Sequence, residues 1–151
     1  MKDFSVEEIL DYSRSIEMES YAYYTEVGKT VVNAELKKLA ADLSEEEMRH
    51  YNRINKILED YKLSRDELDA RVQIRREDHS MLVETRELPE DPTAQALLER
   101  AYEREVSTGN VYRRLLTFTD LADEIIQTLE DLAEQETGHA SRIKSLLEML
   151  S

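Results

Sequence analysis

The feature that most constrains this chain is a polar interruption placed twice at the centre of an apolar stripe. Stepping alternately four and three residues, LAADLSEEEMRHYNRI (39–54) and its flanks put Leu36, Ala40, Leu43, Glu47, His50, Ile54, Ile57 and Tyr61 on one helix face. LEDLAEQETGHASRI (129–143) and its flanks do the same with Ile125, Leu129, Leu132, Glu136, His139, Ile143, Leu146 and Leu150. Two further stripes match each other: Leu10, Ser13, Glu17, Ser20, Tyr24 and Val27 against Leu98, Ala101, Glu105, Thr108, Tyr112 and Leu115. Each of these has one carboxylate at its centre, a small residue four before it and three after it, and a tyrosine seven after it.

Glu17 and Glu105 are 88 residues apart, while Glu47 and Glu136, like His50 and His139, are 89 apart. The chain therefore reads as an internal duplication, 6–61 and 93–150. A repeat this long implies two helical hairpins closing on each other and not an open solenoid. In a Glu-rich chain one Glu-x-x-His arises easily by chance, and a lone Glu on an apolar stripe usually reaches solvent. Six residues obeying one rule twice are a different matter. Burying four carboxylates without counter-charge is costly, and no Lys or Arg occupies any of the four seams. The seams call for a cation between the helices.

Composition agrees with one helix-rich domain: 151 residues, 40% hydrophobic and 36% charged, with 3 Gly and 2 Pro. A formal charge of -14 argues against nucleic acid and anionic membrane surfaces as partners. The absence of cysteine excludes disulfides, thiolate zinc and iron–sulfur or rubredoxin-type centres within these residues. MKDFSVEEIL has no apolar signal region, and no run approaches the roughly 20 apolar residues of a membrane span, so the cytoplasm is the expected location.

Ser5-Val6-Glu7-Glu8 is a capping box that opens helix A over 6–29. Gly28 and the β-branched run Thr30-Val31-Val32 end it, and helix B is expected over 34–61. A second capping box, Ser64-Arg65-Asp66-Glu67, opens a crossover predicted as helix to 87 from the loose spacing of Leu68, Val72, His79, Leu82 and Val83. Leu88-Pro89-Glu90-Asp91-Pro92 stops it. Helix C follows over 93–117, and Thr119 is the expected cap of helix D over 120–150.

Glu-x-x-His puts an oxygen and a nitrogen donor nearly one turn apart on one helix face, where both reach the bundle axis. Two such helices and two single-Glu helices supply four carboxylates and two imidazoles, a set for two divalent ions whose charge the carboxylates balance. Oxygen and nitrogen donors of this kind suit iron or manganese better than calcium or magnesium, with zinc also compatible.

This pattern resembles the ferritin-like di-iron carboxylate proteins, and within them the rubrerythrin branch. IEMESYAYY (16–24) is similar to that family's first-helix signature, and the two Glu-x-x-His stretches to its second and fourth helices. The resemblance covers helices A to D and implies an all-α, ferritin-like four-helix bundle of two antiparallel hairpins with a long helical crossover between B and C. A continuous crossover helix of about 22 residues would cover roughly 33 Å. By the same resemblance Glu47 and Glu136 bridge two iron ions, Glu17 and His50 complete one position, Glu105 and His139 complete the other, and Tyr24 and Tyr112 flank the pair as candidate catalytic residues. Tyr12, Tyr21, Tyr23, Tyr51, Tyr61 and Tyr102 are read as packing or interface residues, and His79 as structural.

Two departures from the family pattern stand out. Rubrerythrins carry a rubredoxin domain that these residues lack, so electrons are expected from a separate donor, a rubredoxin-like protein or a flavin reductase. They also carry a carboxylate three residues after the third-helix Glu, where this chain has Thr108. The expected function is reduction of peroxide, or of dioxygen, with oxidation of a ferrous pair. The alternatives are a ferroxidase or iron-storage protein and a non-catalytic helical metal-binding module. Ser13, Ser20, Ala101 and Thr108 read either as room for the oxidant or as close helix packing. A homodimer through the outer faces of helices A and B completes the expectation.

Overall fold

A computed structural model describes residues 1–60, 63–117 and 120–150; Tyr61 and the expected cap Thr119 lie outside the described residues. Four long helices carry the seams: α1 (Val6–Thr30), α2 (Ala34–Glu59), α5 (Ala94–Leu115) and α6 (Asp123–Leu150). The capping box at Ser5 forms as its sequence requires. The Ser5 hydroxyl accepts from the Glu8 N–H and the Glu8 carboxylate accepts from the Ser5 N–H, each at 3.0 Å. Asn33 caps α2 after a link too short for anything but an antiparallel return, and Thr93 caps α5. Helix α6 begins three residues later than expected. Leu121 tucks into the core first, and the Ala122 carbonyl then accepts from the N–H groups of Ile125 and Ile126.

The core consists of two apolar clusters. One gathers the first half of α1 (Ile9, Leu10, Ile16), the end of α2 (Ile54, Ile57), the end of α5 (Val111, Leu115) and the start of α6 (Ile125, Leu129). The other gathers the opposite ends, with Val27, Leu36, Leu43, Leu98 and Ile143. This partition fixes the directions of the helices. Helix α1 runs against α2 and α5, α6 runs against α2 and α5, and α2 and α5 are parallel. The connection between α2 and α5 must therefore travel the length of the bundle.

That crossover is not the continuous helix expected from the sequence. It comprises α3 (Arg65–Asp69), a strand β2 (Arg71–Ile74) and α4 (Arg76–Glu84). The strand pairs antiparallel with β1 (Lys2–Ser5), bringing Phe4 opposite Val72 and Lys2 opposite Ile74. The reason is a period of two. Val72 and Ile74 are buried while Arg71 and Gln73 are exposed, and two β-branched residues separated by one polar residue suit a half-buried strand. The N-terminal residues provide the pairing edge, and the Val6 N–H donates to the Ala70 carbonyl at 2.8 Å to close the corner. The second capping box, at Ser64, does form, but the helix that it opens is only five residues long.

Ile74 is 0% exposed and belongs to the cluster that the crossover shares with α1, α2, α5 and α6. Ile74→Ala should lower the unfolding free energy by about 2–5 kcal/mol, measured by chemical denaturation.

Candidate metal centre

Between the two apolar clusters lies a polar layer. Glu17 from α1, Glu47 and His50 from α2, Glu105 from α5, and Glu136 and His139 from α6 are all buried, none more than 4% exposed. Their donor atoms form two groups, each within 4.8 Å: Glu17, Glu47, His50 and Glu136, and Glu47, Glu105, Glu136 and His139. Glu47 and Glu136 belong to both. All six side chains singled out in the sequence are thus brought together.

Contacts within the layer run mostly from one hairpin to the other. Tyr24 on α1 donates to Glu105 Oε1 at 2.6 Å, and Tyr112 on α5 donates to Glu17 Oε1. His50 Nδ1 lies 2.9 Å from Glu136 Oε1 and 3.4 Å from Glu17 Oε2, while His139 Nδ1 lies 3.0 Å from Glu47 Oε1 and 3.4 Å from Glu105 Oε2. The two imidazoles are stacked, with centroids 5.4 Å apart and planes 8° from parallel.

The outer nitrogens decide what the inner ones present. His50 Nε2 donates to Gln135 Oε1 at 2.6 Å, and His139 Nε2 donates to Glu46 Oε2 at 2.9 Å. With Nε2 held by an outer acceptor, each ring turns Nδ1 toward carboxylate oxygens. That arrangement needs a cation in the gap, either protons or metal. Glu17 Oε2, Glu47 Oε1, Glu105 Oε2, Glu136 Oε2 and His139 Nδ1 have no hydrogen-bond partner, so the donor set fits the metal ions that its chemistry implies.

Electrostatics point the same way. Burial, then the charges of Glu105 and Glu17, push the Glu47 carboxyl well above the usual range, which favours its protonated form. Burial works against charge on Glu17 too, but the neighbouring Glu47, His50 and Tyr112 outweigh it and hold that carboxyl below its usual value. For His50, burial is outweighed by Glu17 and the pKa rises. Burial and the neighbouring carboxylates raise both Tyr24 and Tyr112 far above an ordinary phenol, which keeps them neutral donors.

Some contributors were not visible in the seams. Arg104 is 1% exposed beside Glu105, yet it makes no ion pair among the described residues. Its guanidinium donates to the Leu82 carbonyl on α4 at 3.2 Å and to Ser20 Oγ on α1 at 2.9 Å, and its charge lowers the Glu47 pKa in part. The seams hold no cation of their own, but this one stands next to them. One position before Glu105, Arg104 falls off the stripe, and arginine is rarely buried, so no sequence signal marked it. Gly109 is the second. A Cβ there would stand 3.4 Å from Glu136 Cβ and 3.1 Å from Arg113 Nη1, so glycine lets α6 bring Glu136 close to α5. Of the small residues, Ser20 is occupied by Arg104, and Thr108 Oγ1 donates to the Arg104 carbonyl at 2.8 Å. His79 stacks on Tyr12 and Phe4 at 5.4 and 6.1 Å, outside both donor groups.

A family model described as Rubrerythrin matches residues 8–93, more than half of the chain. The chain belongs to the rubrerythrin family. Among solved structures, a ferritin-like diiron-carboxylate protein from Thermotoga maritima superposes with a TM-score of 0.80 at 19% identity, covering 100% of this chain and 99% of that one. At that identity the likeness concerns the fold. No match is found among curated proteins. In this rubrerythrin-family chain the ferritin-like bundle is thus combined with a buried Glu/His cluster that could hold metal, and no described helix is long and apolar enough to cross a membrane.

Because Glu47 and Glu136 are shared by the two donor groups, Glu47→Ala or Glu136→Ala should reduce metal content from two ions per chain to one weakly held ion or none, by elemental analysis. His79→Ala should leave it at two. Equal losses in all three variants would contradict the assignment.

Proposed function

We propose that this rubrerythrin-family chain is a non-haem di-iron redox protein that reduces hydrogen peroxide. The observation that carries the reading is the pair of overlapping donor groups, whose unpartnered oxygens converge in a layer sealed by apolar clusters above and below. Glu47 and Glu136 would bridge two iron ions, with Glu17 and His50 completing one position and Glu105 and His139 the other; manganese or zinc would fit the same donors. When bound, two ferrous ions supply the two electrons that cleave the O–O bond of peroxide, which with two protons leaves two waters and two ferric ions.

The chain's own residues set the conditions for that chemistry. Tyr24 and Tyr112, hydrogen-bonded to Glu105 and Glu17, orient the two non-bridging carboxylates and offer a phenolic proton at the edge of the layer. Glu105 also lines a surface cleft with Tyr102, Arg113, Thr137 and Lys144, which gives a small oxidant an approach between α5 and α6. The apolar layers above and below keep bulk water from the reacting groups. A separate electron donor, a rubredoxin-like protein or a flavin reductase, would restore the reduced state, and we place the protein in the cytoplasm as a homodimer through the outer faces of α1 and α2.

A second reading, ferroxidase or iron handling with dioxygen as oxidant, is favoured by Thr108. Its hydroxyl is engaged with the Arg104 carbonyl, and it offers the centre no extra carboxylate where rubrerythrins carry one. The two readings separate on chain loaded anaerobically with ferrous iron and then given peroxide or air. Two irons per chain and faster ferric absorption with peroxide would support peroxide reduction, faster reaction with air would support the ferroxidase, and no iron uptake would remove both. Tyr24→Phe and Tyr112→Phe should keep two irons and slow the oxidation step about tenfold, the worth of one hydrogen bond to a charged group. Unchanged rates would leave the phenols a packing role.

A further inference from the structure

The duplication extends beyond the six donors. Asp42 and Asp131, Glu46 and Gln135, and Arg53 and Arg142 are each 89 residues apart, the same offset as the two Glu-x-x-His pairs. In space each set serves the histidine of the opposite hairpin. Arg142 donates to Asp42 at 3.1 Å and to Glu46 at 3.3 Å, and Glu46 receives His139 Nε2. Arg53 donates to Asp131 at 2.6 Å, the Gln135 amide donates to Asp131 at 2.9 Å, and Gln135 Oε1 receives His50 Nε2. Across these three pairs of positions the residue type changes only where the ring is met: a carboxylate faces His139 and a carboxamide faces His50, and Arg49, which also approaches Glu46, has Gly138 as its counterpart.

Neither acceptor is ambiguous. Asp131 takes the amide N–H of Gln135, which fixes the amide so that its oxygen faces the ring. Arg142 at 3.3 Å and Arg49 at 3.9 Å pair with Glu46 at the rim of the bundle. Both rings are thereby held in the same tautomer with Nδ1 inward, so tautomer and orientation do not distinguish them. What differs is the charge on the acceptor. An anionic acceptor pulls harder on Nε2–H than a neutral carbonyl does, and the electron density it returns to the ring makes Nδ1 a stronger donor to metal.

We propose that the two metal positions are unequal, and that the one at His139, backed by the Glu46 carboxylate, takes up its ion before the one at His50, backed by the Gln135 amide. The inference rests on the two-metal reading above. Glu46 and Gln135 act as positioning residues, working through the imidazoles and not by contact with the ion. Outer partners of this kind typically alter metal affinity about 10- to 100-fold. The first ion therefore settles preferentially beside Glu105 and His139, on the side that opens to the α5/α6 cleft.

The test is a zinc titration of metal-free chain followed by imidazole nitrogen NMR. The sequence contains three histidines, and His79→Ala leaves two sets of signals to follow. Below one equivalent of zinc, the bound-to-free ratio should be about tenfold greater for His139 than for His50. Glu46→Gln should bring the two ratios together, and Glu46→Gln combined with Gln135→Glu should reverse their order. A merely structural role for Glu46 would weaken binding without changing the order of filling. Equal filling in the starting protein, or a preference that survives Glu46→Gln, would overturn the inference while two zinc ions per chain left the two-metal reading standing. Fewer than two zinc ions at saturation would remove that reading itself. Should Gln135→Glu fail to fold against Asp131, Glu46→Gln alone decides.

Discussion

The rest of this structure depends on the cost of burying charge. Four carboxylates sit in one layer across the middle of the bundle, none more than 2% exposed, and the imidazoles beside them turn Nδ1 inward. Such a layer cannot be solvated, so it must be neutralised from within, by protons in the metal-free chain or by metal. It also lies between the two clusters of the apolar core. Register follows from this. A one-residue slip of any long helix would turn its Glu toward an apolar cluster or toward solvent and expose the residue that replaced it.

The same layer joins the halves of the molecule. Within each hairpin the backbones run close together, α1 with α2 and α5 with α6, and between hairpins they approach each other at fewer points. The polar contacts are distributed the other way. Tyr24 reaches Glu105, Tyr112 reaches Glu17, His50 reaches Glu136 and Gln135, and His139 reaches Glu47 and Glu46. Neutralising the layer therefore does more than relieve repulsion. It makes these cross-hairpin bonds the specific part of an interface whose apolar part is shared by all four helices.

Much of the site was legible because the seams obey a period that tolerates no other reading. Glu47, His50, Glu136 and His139 occupy positions where a helix face must be apolar, and repetition at a constant offset removes chance as an explanation. The long helices were legible from the capping box at Ser5 and from the breaks at 28–32 and 88–92, although the caps that Asn33 and Thr93 supply were not singled out. The crossover was not. Leu68 and Val72 are four apart, which reads as helix, while Val72 and Ile74 are two apart, which reads as strand; four residues are too few for the period to settle it. The partner strand at Lys2–Ser5 decides, and a pairing across nearly 70 residues is invisible to a local pattern. Glu46 was hidden differently. In SEEEMRHY three consecutive glutamates look alike, and only the chain packed against them shows which one faces His139. Applying the offset to the neighbours of the donors would have found it.

Duplication makes the donors equal, and everything packed outside them need not be. The crossover covers one side of the bundle, and Arg104 ties it there, donating to Leu82 on α4 and to Ser20 on α1. The residue 88 positions earlier, at the equivalent place on α1, is Ile16, which is buried in an apolar cluster. A positive charge thus lies on one side of the layer with a hydrocarbon as its counterpart. Its influence falls on Glu47, one of the two carboxylates that both donor groups share, so it acts on both positions together. The difference between Glu46 and Gln135 acts instead on one histidine each. The fold therefore adjusts a nearly symmetric centre at two levels, one common to the pair and one private to each half, without changing any of the six donors.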